Sequence, residues 1–144
     1  MKNEILAGVG GAVMLNILHE SLKHTNENMP RIDLVGTEAL QKSLNYIGQS
    51  IDDPKKLYFA TLAGDLVSNG AYYSLIFYNG KHIWNKAVAL GLVAGVGAVV
   101  LPEKLGLDDQ PVAKNNTVKA FTIGYYVFGA LAAATIYKVL KSKS

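Results

Sequence analysis

No cysteine occurs in the 144 residues. The chain therefore carries no disulfide framework, no thiolate metal site and no cysteine nucleophile. Charge is scarce too: 17% of residues are Asp, Glu, Lys or Arg, against ~25% in an average soluble domain. The short motifs of common chemistries are also missing. His19-Glu20 does not begin an HExxH motif, because Lys23 stands where the second histidine would be. His19, His24 and His82 lack zinc-site spacing. No GxSxG or phosphate loop is present, and Gly8-Val9-Gly10-Gly11 lies inside an apolar run, not after a strand. These absences leave no catalytic set, no metal site and no cofactor to expect, and they weigh against an enzyme.

What the chain does have is apolar surface, gathered in blocks. Half the residues are hydrophobic and the mean hydropathy is +0.19. Four blocks read as membrane spans, over about 5–22, 57–78, 83–101 and 118–140. The expected fold is all-α: a four-transmembrane-helix bundle forming one membrane domain over 1–144. The block Leu57–Tyr78 has 22 residues and one charge, Asp65. As a helix it would reach roughly 33 Å, enough for a hydrocarbon core of ~30 Å. The first block follows a basic start, as in a signal peptide. Asn16, His19 and Glu20 break its second half and no small-x-small cleavage site follows, so a retained helix is expected. Net charge is +3 and the pI about 9.0. The positive residues flank apolar blocks, which points to a lipid bilayer with anionic headgroups and away from nucleic acid.

The connections differ in kind. Leu40, Leu44, Ile47 and Ile51 recur at helical spacing, predicting an extra amphipathic helix over about 37–51, lying in the interface with Thr37 as N-cap. Asn79-Gly80-Lys81-His82 is a tight polar turn. Pro102 is expected to help end the third span. Asn115-Asn116-Thr117 matches a glycosylation sequon, a triplet common by chance. Four spans place both termini on one side. Lys2, Lys81, Lys86, Lys138, Lys141 and Lys143 lie close to helix ends there, which favours cytoplasmic termini.

Asp65 is the residue hardest to explain as chance. A carboxylate within a span costs roughly 2.5–3.5 kcal/mol on insertion scales, so it faces protein or a wet cavity. Asp65, Ser68 and Asn69 share one helical face, and Asn16, His19 and Glu20 share another. Matching depths predict a polar intramembrane cluster of Asn16, His19, Glu20, Asp65, Ser68, Asn69 and Tyr126, with Arg31 and Lys119 at its rim. Contact of Asp65 with the first helix, through Asn16 or His19, is the sharpest expectation. The cluster suits a pocket for a cation, a proton or a polar headgroup. It equally suits a hydrogen-bonded network that only fixes helix register.

The strings GDLVSNGAYYSL (Gly64–Leu75) and GLVAGVGAVVLPEKLGL (Gly91–Leu107), with LHESL and PRIDLVG (Pro30–Gly36), resemble a group of small uncharacterised bacterial membrane proteins with four helices. The resemblance implies the fold and a bacterial source, and with it an inner-membrane location with cytoplasmic termini, and carries no activity. Three functions remain open. One is an accessory or scaffold protein whose glycine-rich helix faces meet a membrane-protein partner or a second copy. The second is a small cation or proton transporter-like protein using Asp65. The third is a membrane-embedded enzyme acting on lipid, with Glu20 or Asp65 as base.

Overall fold

The computed structural model describes the whole chain, Met1–Ser144, and it is all-α. Its helices are α1 (Lys2–Leu22), α2 (Ile32–Tyr46), α3 (Pro54–Ser74), α4 (Ile83–Lys104), α5 (Gln110–Ala113) and α6 (Asn116–Ser142), with a 3-10 segment Leu75–Gly80 after α3. Helix α1 packs against both α3 and α6, and α4 packs against α6. The lateral order is therefore α3–α1–α6–α4, with successive neighbours antiparallel. Both termini meet at one end, where Asn3 donates to Ser144 Oγ. Helices α2 and α5 cover the other end.

Small residues set the helix spacing. A Cβ on Gly11 would fall 2.6 Å from both Ala133 Cβ and the Gly129 carbonyl. One on Gly95 would fall 2.6 Å from Ile123 Cα, and one on Gly8 would collide with Gly70 and Ser74. At Gly8, Gly11, Gly91, Gly95 and Gly129 the chain's own helices fill the space where a Cβ would stand. At Gly64 and Gly124 that space is open, and at Gly97 only Leu101 of the same helix comes within 4 Å. Large side chains then fill the seams: Tyr73 and Ile76 are fully buried, and Phe77 stacks on Tyr137 with ring centroids 4.3 Å apart.

Three helices are long and apolar enough to cross a membrane: α1, α4 and α6. Their outer faces keep large apolar side chains exposed, among them Ile5, Ile17, Leu92, Val96 and Phe128. The fourth expected span, over 57–78, does not meet the same standard. Asp65, Ser68 and Asn69, with Lys55 and Lys56 in the first turn, dilute its apolar character, and the α-helix ends at Ser74. Tyr78 and Asn79 then leave helical geometry to make the turn into α4. The other boundaries move outward, because α1 begins at Lys2 and α6 covers Asn116–Ser142.

The amphipathic helix is real but sits earlier than expected, at Ile32–Tyr46 and not 37–51. Gly36, just before the expected start, has the look of a helix boundary. In fact it lies inside α2, where a Cβ would come 2.7 Å from Thr61 Cγ2, so glycine lets α2 press onto α3. Thr37 is consequently no N-cap, and its hydroxyl donates to the Leu34 carbonyl. Gly48, at φ 76°, stops the helix before Ile51: Gly48 N–H donates to the Asn45 carbonyl and Gln49 N–H to that of Leu44. The same closure ends α4. Pro102 lies within α4, and Gly106 (φ 75°) lets Leu107 N–H reach the Pro102 carbonyl. Asn115, the sequon asparagine, caps α6 by accepting from Val118 N–H at 2.9 Å and donates to Asn28 Oδ1 at 3.0 Å.

Candidate functional site

Three chain segments meet at the α2-covered end and bring opposite charges together. The last turn of α1 supplies His19 and Glu20, and Lys23 follows as its C-cap. Pro30 releases the chain from the preceding loop into Arg31 and α2, which supplies Asp33 in its first turn. The first turns of α3 supply Tyr58. Arg31 grips Asp33 with two parallel hydrogen bonds, Nε to Oδ1 at 2.9 Å and Nη2 to Oδ2 at 2.8 Å. Lys23 Nζ lies 2.8 Å from Glu20 Oε2 and 3.6 Å from Asp33 Oδ2. Tyr58 donates to Glu20 Oε1 at 2.5 Å, and the Lys23 ammonium sits over its ring. Two carboxylates are therefore met by two permanent cations.

His19 stands between the two carboxylates. Its Nδ1 is 3.4 Å from Glu20 Oε1 and its Nε2 is 3.3 Å from Asp33 Oδ1. The residue is 3% exposed, and Nε2 has no well-aligned hydrogen-bond partner. The ring meets Tyr125 of α6 edge-on, with centroids 6.3 Å apart. Burial would push the Asp33 carboxyl up; contacts with the His19 ring and the Arg31 guanidinium outweigh it and hold Asp33 well below the ordinary carboxylate range. The pairing acts in the same sense on Arg31, whose pKa is raised chiefly by its hydrogen bonds to Asp33.

Below this cluster lies a small cavity of about 20 Å³, lined by His19 and Asn16 of α1, Asp33 of α2 and Thr61, Asp65 and Asn69 of α3. A space of ~10–15 Å³ on this measure is enough for one water. Asp65 and Asn69 also line a second, larger cavity of about 530 Å³. It exists because α3 and α4 diverge from their shared turn. The Tyr72 hydroxyl closes its base by donating to the Leu90 carbonyl at 2.8 Å. One wall is apolar, from Val93, Ala94, Ala98 and Leu101 of α4; the other carries Asp65, Ser68, Asn69 and Tyr72 of α3. Ile32, Val35 and Ala39 of α2 roof it, and Tyr126 of α6 lies at the back. Asp65 is the sole charged residue on its walls.

The sequence-predicted residues therefore divide. Asn16, His19, Glu20, Asp65 and Asn69 share the small cavity, whereas Ser68 and Tyr126 join Asp65 only in the crevice. Asp65 and the first helix face one cavity without a direct hydrogen bond, because the Asn16 amide donates to the Ala12 carbonyl of its own helix. Arg31 belongs to the cluster as Asp33's partner. Lys119 is exposed on the first turns of α6 and lines neither cavity. Sequence reading missed Asp33, Lys23 and Tyr58. The Pro30-Arg31-x-Asp33 spacing was a usable signal for the first, and Lys23, three residues after Glu20, for the second. The chain matches no family model, no curated protein and no solved structure.

Proposed function

We propose that the protein is a small integral membrane protein that binds a lipophilic cation in the α3/α4 crevice, with Asp65 as its countercharge, in the manner of a transporter. In this reading α3 lies in the membrane beside α1, α4 and α6, and its polar face turns toward the crevice and away from lipid. One observation carries the reading: a single carboxylate, without a cationic partner, on the wall of an otherwise apolar and hydroxyl-lined cavity. A volume of about 530 Å³ falls within the range of small-molecule pockets, ~300–1,000 Å³. Buried charge demands an opposite charge or a proton. An ammonium or phosphonium bearing apolar groups meets both the carboxylate and the Val93–Leu101 wall. The flanking charges are already spent, since Lys23 and Arg31 are engaged by Glu20 and Asp33.

The lysines at the shared end of the termini support placing that end in the cytoplasm. The crevice then opens toward the opposite leaflet, under the amphipathic α2.

Calorimetric titration of the protein in lipid nanodiscs with tetraphenylphosphonium tests the reading. Saturable binding to wild type is expected, weakened at least tenfold in Asp65→Asn. Binding that is equal in the two proteins would remove Asp65 from the site.

A further inference from the structure

We infer that the α3/α4 crevice is a lateral port. Its occupant is an amphiphile with a cationic amine head, which enters sideways from the bilayer, sets its head at Asp65 and leaves its hydrocarbon chain in the lipid. The inference rests on Asp65 being the crevice countercharge, and adds the class of the occupant and its way in.

Three sides of the crevice are closed. At the base, the Tyr72 hydroxyl joins α3 to the Leu90 carbonyl of α4 at 2.8 Å. Tyr126 of α6 stands at the back. The end under α2 is strapped. Arg31 N–H, at the start of α2, donates to the Pro111 carbonyl of α5 at 2.9 Å. Further along, Lys42 Nζ donates to the Gly106 carbonyl at 2.7 Å, and Glu38 Oε2 accepts from Asp108 N–H at 2.9 Å. Helix α2 packs on α3, so these bonds carry it across to the loop after α4.

The remaining side is the front, between α3 and α4, which share no extended packing. Ser68 is exposed on one lip. On the other, Val93 is 63% and Leu101 52% exposed, although both line the crevice. At 1.5 Å per residue the gap between those two runs for roughly 12 Å along α4. Helix α4 is long and apolar enough to cross a membrane. With α4 in the bilayer, the gap faces acyl chains.

The two lips suit a molecule with two unlike ends. Asp65 meets the ammonium, and the Ser68 and Asn69 oxygens on the same helix accept its N–H groups. The facing lip offers only apolar surface, from Val93, Ala94 and Ala98. The chain lies on that surface and passes out between Ser68 and Val93. Each methylene that stays in the bilayer is spared contact with water. A hydrophilic cation lacks that advantage, since it meets lipid at the front and the α2 strap at the end. A phosphate-bearing head would set a second negative charge beside Asp65, with no cation on the walls to meet it.

Electron paramagnetic resonance on protein in nanodiscs tests the port. The chain has no cysteine, so one engineered cysteine carries a spin label to a single place. Labels are set at Val93→Cys and Leu101→Cys on the lip, either of which suffices if the other does not fold. Leu92→Cys, at the depth of Val93 but not lining the crevice, is the lipid reference, and Lys104→Cys the water reference. Collisions with oxygen report lipid, and collisions with a nickel chelate report water. The ratio at the lip is expected within twofold of that at Leu92. Dodecyltrimethylammonium is then expected to lower oxygen collisions at the lip at least twofold, leave Leu92 unchanged, and lose this effect in Asp65→Asn. A lip that collides with nickel as Lys104 does means a water-filled crevice. A lip shielded from both reagents means another helix, from a second copy or a partner, fills the gap. Either result, or a lip that dodecyltrimethylammonium does not shield, overturns the port. Tetraphenylphosphonium has no tail and separates the two readings. If its binding depends on Asp65 while the lip stays unshielded by the amphiphile, the crevice reading stands and the port falls. If its binding ignores Asp65→Asn, the crevice reading itself falls.

Discussion

Asp33 holds Arg31 with both carboxylate oxygens, at 2.9 and 2.8 Å, and the oxygen that accepts from Nε also faces His19 Nε2. Asp33 itself ties the start of α2 to the end of α1, through His19 Nε2 at 3.3 Å and Lys23 Nζ at 3.6 Å. Asp33 has only 12% of its side chain exposed, so breaking the fork leaves charge in a partly dry place. Asp33→Asn is expected to destabilise the protein by about 2 kcal/mol, in line with charge-assisted hydrogen bonds of ~1.5–3 kcal/mol. Denaturant unfolding in detergent, followed by circular dichroism, measures it.

The same carboxylate sets a pH dependence. Its folded pKa lies below its unfolded value of ~3.9. The native state therefore favours the charged form, and the stabilisation is fully present above that value. It is lost progressively as the pH falls from about 4 toward the folded pKa. Wild-type stability is expected to drop across that acid window, and the difference between wild type and Asp33→Asn to shrink with it. A difference independent of pH between 6 and 3 would show that Asp33 acts by packing alone.

Gly95 and Gly124 form a matched pair. A Cβ at Gly95 would lie 2.6 Å from Ile123 Cα and 3.0 Å from its carbonyl oxygen, both backbone atoms. Helices α4 and α6 must separate to admit it, and Gly95→Ala is expected to cost ~1–3 kcal/mol. At Gly124 nothing lies within 4 Å of the same atom. Gly124→Ala is expected to be neutral, or stabilising by up to ~1 kcal/mol through helix propensity. Parallel thermal unfolding of the two variants checks both signs.

The contrast between those glycines shows how far the sequence could be read. The helix content, the antiparallel order and the closeness of the termini follow from apolar blocks and one tight turn. Asp65 was recognisable because a carboxylate in an apolar block is expensive. What could not be read was which neighbour each small residue meets. Gly36 looks like a helix boundary, yet it is a contact point inside α2. Gly11 and Gly124 look alike in sequence, yet one is filled by Ala133 and the other is open. The crevice was hidden for the same reason, since it depends on α3 and α4 diverging from a turn whose local sequence says only that the chain reverses. Asp33 was overlooked because its importance comes from Arg31 and His19, the latter distant in the chain.

Asn115 accepts from Val118 N–H and so satisfies one of the orphan donors at the start of α6. Asn115→Ala is expected to cost ~1 kcal/mol, and Asn115→Gly a few tenths. Amide hydrogen exchange in the first turn of α6 should rise in the alanine variant while the centre of α6 stays protected.

Tetraphenylphosphonium and tetraphenylborate share size and shape and differ in the sign of their charge. Equilibrium dialysis of the pair against the protein in uncharged nanodiscs measures whether the crevice selects by charge at Asp65. Wild type is expected to retain the cation at least tenfold more tightly than the anion. Asp65→Asn is expected to lose that preference while still folding. Equal retention of both ions by wild type, or a cation preference that survives in Asp65→Asn, would contradict the account.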